Sequence, residues 1–207
     1  MIDSGSRLLN LVIFGPLLVA AVVAFMPKGE KGQIRGLTLV GMVLNLATCV
    51  WAWLRFVPNH PMEFQSEYRL QWVADIGLSY HVGVDGLAMT LVMLTGILGP
   101  LVVLASWTYV DERVKEFHLA LLVLQTAMLG ALCALDVLLF YIFFEAMLVP
   151  MYLLIGVWGA EDRQMAAMKF FLYTLVGSLL MLVALLAVYF LAAPAGSRSF
   201  DYATIYN

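Results

Sequence analysis

Six runs of about twenty apolar residues leave this chain few folds to choose from. They lie at 8–26, 36–57, 85–106, 117–135, 137–158 and 167–192. A helix of that length rises about 30 Å, the thickness of a hydrocarbon core. Inside lipid every backbone N–H and C=O must be bonded within the protein, so such runs cross as helices. Composition agrees, with 63% hydrophobic and 12% charged residues and a mean hydropathy of +0.94. That is about half the charge of an ordinary soluble domain. The expected fold is an all-α polytopic membrane protein of about six spans, forming one transmembrane domain over residues 1–207. The first run is too long for the core of a signal peptide and more spans follow it, so it is read as the first helix. The net charge of −3 says little about partners, because the few charges lie between the runs. No basic stripe suggests nucleic acid, and the partner that composition implies is the lipid bilayer.

Punctuation between the runs is clear: Pro27-Lys28-Gly29, then Pro58 and Pro61, then Asp111 to Glu116. Asp136 stands between the fourth and fifth runs with almost no loop, which predicts a tight antiparallel pair. N-capping of the fifth helix is the preferred role for Asp136, ahead of a place in a proton path. Alternate loops hold Lys28, Lys31, Arg35, Arg113, Lys115, Arg163 and Lys169, seven of the eleven basic residues, against Arg7, Arg55, Arg69 and Arg198 on the other side. The positive-inside rule then puts the first set in the cytoplasm or matrix and both termini outside. The longest loop, 58–84, carries two alternating stretches, Tyr68–Val73 and Leu78–Val82, around Asp75 to Gly77. They predict a small extramembrane β-hairpin between the second and third spans. His60 and His81 of this region are read as interfacial polar groups, since two unpaired loop histidines make a weak metal signal.

The intramembrane polar residues carry the functional argument. Glu145 lies about halfway along the fifth run, where an ionisable group costs about 3 kcal/mol or more. Tyr141 and Tyr152, at i−4 and i+7, fall on roughly the same helical face. Pro150 has no N–H to donate, which frees the carbonyl of Ala146 beside the glutamate. Carboxyl, loosened backbone and tyrosines together predict a small hydrated pocket. Glu145 is therefore the candidate proton carrier, with Tyr141, Tyr152 and Gln125 as candidate lining. For Gln125 and Thr126, bonding between helices is the commoner use. Pro100 is expected to kink the third helix and free the carbonyl of Gly96. Lys169 is either a snorkelling anchor or a relay. It sits too near its own helix end to pair directly with Glu145, which is about 20 Å from the cytoplasmic end of its helix. His118 is expected at the cytoplasmic interface. Cys49 and Cys133 are read as small buried hydrophobes. No Cys-x-x-Cys, His-Glu-x-x-His, phosphate-binding loop or dinucleotide fingerprint appears, so no metal or cofactor is expected on this chain.

Three stretches resemble the antiporter-like subunits of respiratory complex I. They are Tyr80-His81-Val82-Gly83-Val84-Asp85-Gly86, Ala134-Leu135-Asp136-Val137-Leu138-Leu139-Phe140-Tyr141, and the segment Glu145-x-x-x-x-Pro150-Met151-Tyr152-Leu153-Leu154-Ile155-Gly156-x-Trp158-Gly159. Pro150-Met151-Tyr152 points to the subunit M (chain 4) branch, and Lys169 to Thr174 matches the segment that branch carries next. The resemblance implies a proton-translocating subunit in the membrane arm of an NADH:quinone oxidoreductase, in the inner or cytoplasmic membrane. Its partners would be other antiporter-like subunits, and NADH, FMN, iron–sulfur clusters and quinone would be bound on other subunits. The position of Glu145 is there a glutamate paired with a lysine on a seventh helix. Family members have about fourteen helices, whereas this sequence stops at Asn207, which predicts a fragment or one piece of a split subunit. Subunits of a Na⁺/H⁺ antiporter or a membrane-bound hydrogenase share the Glu145 motif. A non-catalytic scaffold is the third reading.

Overall fold

The computed structural model describes residues 4–57, 64–73, 76–192, 199–202 and 205. Six helices carry the apolar runs: α1 (Ser4–Phe25), α2 (Lys31–Arg55), α3 (Gly86–Ala105), α4 (Val114–Cys133), α5 (Val137–Trp158) and α6 (Arg163–Ala192). All six are long and apolar enough to span a bilayer. The expected start of α5 is met to the residue, while α2, α4 and α6 begin three to five residues earlier than their apolar runs. Hydropathy marks only the lipid-crossing part of a helix, and these helices continue past it on polar residues such as Lys31, Gln33 and Arg163. The three proline-bearing helices, α1 with Pro16, α3 with Pro100 and α5 with Pro150, are unbroken.

Between α2 and α3, strands β1 (Gln65–Val73) and β2 (Leu78–Val84) form an antiparallel hairpin with Arg69 opposite His81. Gly77 takes φ 68° at its turn, a value that costs glycine little. His60, Pro58, Pro61, Asp75 and Arg198 lie outside the described residues.

Helices α1 to α4 pack on one another, α5 packs on α4, and α6 packs on α5. Two apolar clusters fill the four-helix part. Leu9, Ile13, Cys49, Val92, Leu129 and Cys133 lie toward the hairpin, and Val23, Ile34, Met42, Val103 and Leu122 toward the other end. Both cysteines are buried and unbridged. Contact between α4 and α5 is close because Gly130 has no side chain: a Cβ there would overlap the Phe143 ring.

The end opposite the hairpin is held by charge. Lys31 Nζ lies 3.1 Å and Arg35 3.3 Å from Asp111 Oδ1, and Lys28 lies 2.8 Å from Glu116. Lys115 donates to the Ala24 carbonyl in the last turn of α1 and to that of Met26 just past it, where a cation also suits the helix dipole. The Lys31 hydrogen bond and charge, with help from Arg35, hold the Asp111 carboxyl below its ordinary range.

A candidate proton-handling site on the fifth helix

Glu145 stands nine residues into α5 from its Asp136 cap, about 13 Å along the axis. Its Oε1 is buried and has no hydrogen-bond partner. A buried acceptor left in that state costs about 1–3 kcal/mol until a proton, water or donor reaches it. Tyr141, one turn back, neighbours both the Glu145 carboxyl and Ser178 of α6. Ser178 is itself buried, and its hydroxyl donates to the Leu175 carbonyl at 2.9 Å. Sequence reasoning passed over Ser178, although a hydroxyl amid the apolar residues of α6 was its signal. Tyr152 turns elsewhere: its ring meets Phe171 of α6 edge-on at 5.5 Å. Pro150 is buried and lines, with Val123, Val149 and Leu153, an apolar recess of about 320 Å³ between α4 and α5. Glu145 is not among the residues around that recess.

Gln125 is buried on α4 and donates from Nε2 to the Thr95 carbonyl of α3 at 3.0 Å. It bonds two helices together there. Thr126 closes on its own helix through the Leu122 carbonyl at 3.1 Å. Lys169 is exposed, six residues into α6. The earlier start of α6 moves it deeper into its helix than its apolar run implied. It remains about 9 Å from that start, against about 19 Å for Glu145 from the adjoining end of α5. His118, in the first turns of α4, is 1% exposed with Nδ1 unpartnered, and its ring packs edge-on against Phe117.

Asp136 is fully buried and caps α5. Its Oδ1 accepts from the N–H groups of Leu138 (3.0 Å) and Leu139 (3.1 Å). Its Oδ2 accepts from the N–H (3.0 Å) and hydroxyl (3.2 Å) of Ser79 on β2. The hairpin is thereby tied to the start of the helix that carries Glu145. His81 is buried beside Asp201, a contact between positions 120 apart that the sequence alone does not reveal. Tyr80 donates to Asn10 of α1 at 2.6 Å. Burial, then the neighbouring Cys133 and Tyr68, pushes the Tyr80 phenol up, so it stays an O–H donor. Among the described residues no group of three or more His, Cys, Asp or Glu side chains is arranged to hold a metal ion.

The family described as NADH-ubiquinone oxidoreductase chain 4, amino terminus, matches residues 16–133, and NADH:quinone oxidoreductase/Mrp antiporter, TM, matches 134–204. The chain belongs to the subunit M/chain 4 family of NADH:quinone oxidoreductases. It is similar to NADH-quinone oxidoreductase subunit M of Rhodobacter capsulatus, 43% identical over 95% of this chain and 39% of that one. Among solved structures, a chain of respiratory complex I from Thermus thermophilus aligns with TM-score 0.79 and 27% identity, over 95% of this chain and 38% of that chain. A chain of the Mrp complex from Dietzia shares the fold at TM-score 0.72 and 18% identity, over 87% of this chain and 19% of that chain. The present sequence thus spans about two fifths of the length of the subunit M relative. The two matched regions meet at Cys133–Ala134, in the short turn between α4 and the Asp136 cap of α5.

Proposed function

We propose that this chain is the proton-handling N-terminal portion of a membrane-arm subunit of an NADH:quinone oxidoreductase, with Glu145 as the group that binds and releases the proton. The observation that carries this reading is the unpartnered, buried Oε1 at mid-helix. A purely structural carboxyl would have both oxygens met by donors, as Asp136 has with its four, whereas Glu145 has the Tyr141 hydroxyl beside it and Oε1 left over. Tyr141 and Ser178 supply hydroxyls next to it, a short polar step between α5 and α6. Lys169 and Tyr152 would serve that step only through intervening water or a further helix, given where their side chains lie.

NADH, FMN, iron–sulfur clusters and quinone belong, on this reading, to other subunits, and the neighbours of this chain are other antiporter-like subunits. The basic end faces the cytoplasm or matrix, and the hairpin end faces outward, in the inner or cytoplasmic membrane. A role in a Na⁺/H⁺ antiporter draws on the second matched family, whose description covers Mrp antiporters as well. The 43% identity to a subunit M favours the oxidoreductase. Glu145→Gln in the intact assembly tests the proposal. NADH-driven proton pumping is expected to fall at least about tenfold, the order of effect of losing one proton-transfer group. Pumping at the unsubstituted rate would contradict it.

A further inference from the structure

The hairpin end holds a titratable cluster that the role of Glu145 does not use. Both ring nitrogens of buried His81 face carboxylates. Nδ1 lies 3.0 Å from Asp201 Oδ2, and Nε2 lies 3.3 Å from Glu67 Oε2. An ionised carboxylate only accepts hydrogen bonds, and a neutral imidazole has a single N–H to give. Both contacts are satisfied together when the ring carries two protons. Asp201, 2% exposed, also takes the Arg69 guanidinium at 3.1 Å on the same oxygen. A doubly protonated ring sets a cation between the two carboxylates, whereas a neutral ring leaves one nitrogen lone pair facing a carboxylate oxygen.

We propose that His81 is a second proton-binding site of this chain, and that its bound proton latches the segment 199–202 to the hairpin and to the start of α5. The backbone makes that coupling concrete. The Leu135 N–H donates to the His81 carbonyl at 2.8 Å, the Tyr202 N–H to the Leu135 carbonyl at 2.9 Å, and the Val137 N–H to the Phe200 carbonyl at 2.9 Å. Ser199 adds a bond from its hydroxyl to the Gly77 carbonyl at 3.2 Å, and the Phe200 ring stacks on Tyr189 of α6 at 4.1 Å. One residue, His81, therefore joins the hairpin to the α4–α5 turn through its carbonyl and to the chain that follows α6 through its ring.

Among the described residues, the other ionisable groups nearby have contacts of their own. From β1 come Glu67 and Arg69, both in the cluster. Asp136 of the α5 cap is saturated by its four donors. Asp85 caps α3 by accepting from the Ala88 N–H at 2.7 Å. Tyr80 is taken by Asn10 of α1, and α4 contributes Cys133, buried beside Tyr80. Histidine is the side chain among these whose charge ordinarily changes within the physiological range. Its ligand is a proton drawn from the aqueous phase on the hairpin side.

Hydrogen exchange in the intact assembly, held in lipid nanodiscs and corrected for intrinsic exchange chemistry, tests this latch. Peptides containing Val137 and Tyr202 are expected to be about tenfold better protected at pH 6 than at pH 8.5, the scale of one charge-assisted hydrogen bond. His81→Gln should abolish the difference. Glu67→Gln, at a half-exposed position, decides the matter even where His81→Gln misfolds. Its amide pairs with either state of the ring, so the pH difference should shrink at least about twofold. Equal protection at both pH values in the unsubstituted protein, or an undiminished difference in Glu67→Gln, would overturn the latch. Glu145→Gln is expected to leave the difference unchanged, which separates this result from any result on pumping.

Discussion

Glu145 and Asp136 share α5, and their surroundings give them opposite work. Four donors converge on Asp136, so its value is structural. Asp136→Ala strands two N–H groups of α5 and both donors of Ser79, and should cost about 2 kcal/mol or more. Asp136→Asn, an equally good cap, should keep the α5 bonds and lose part of the Ser79 pair. The yield of assembled protein should rank unsubstituted, Asn, then Ala, and equal yields would contradict the capping account. Gln125→Leu removes one buried bond to the Thr95 carbonyl, with an expected loss of about 1 kcal/mol in a thermal unfolding scan in detergent. The carboxyl at 145, the proline at 150 and the glutamine at 125 are all legible in the sequence, because polar groups inside apolar runs announce themselves. Their partners are not legible. Gln125 meets a carbonyl 30 residues away, and no local pattern records that contact.

At the scale of elements, the α4–α5 pair depends on a glycine. Gly130→Leu would drive a side chain into the space of the Phe143 ring and separate the helices. Overpacking of this kind costs about 1–3 kcal/mol, to be read as a lower melting temperature of the assembly. The clamp at the end opposite the hairpin is a softer device. Lys31 and Arg35 depress the Asp111 pKa, so the stability it adds is present above the ordinary carboxylate pKa and is lost as pH falls through the depressed folded value. Asp111 is widely exposed, which predicts a small, salt-sensitive effect: Asp111→Asn should barely move the melting temperature at neutral pH and 0.15 M salt. The six apolar runs foretold the helices because a bilayer enforces length and composition on each one. The hairpin could be foreseen because alternation and a glycine turn are local. The strap at 199–202 could not, since its bonds to Leu135, Val137 and His81 join residues far apart in the chain.

The whole molecule is a four-helix part, α1 to α4, with α5 and α6 added in sequence on one side. Leu172, Val176, Leu180, Val183 and Leu191 of α6 are exposed, a face suited to lipid or to further helices. The arrangement puts the charged loops at one end and the hairpin at the other, so sidedness can be measured. Cysteines placed at Glu161 and Gln71, both exposed, should react with a membrane-impermeant maleimide from opposite faces, while buried Cys49 and Cys133 stay unlabelled. Labelling of both new sites from one face would contradict the orientation. Among the described residues, both oxygens of Asp136 at the hairpin end meet donors, whereas Oε1 of Glu145 at mid-helix meets none, which is why we propose Glu145 as the proton-transfer group. The most direct test is the number of protons moved per NADH oxidised by intact assemblies carrying Glu145→Gln or Glu145→Asp. The account expects the amide, which keeps the shape but cannot exchange a proton, to lower that ratio, and the shorter acid to restore a substantial part of it. A ratio unchanged by the amide, or lowered equally by both substitutions, would contradict the claim that Glu145 works as an acid.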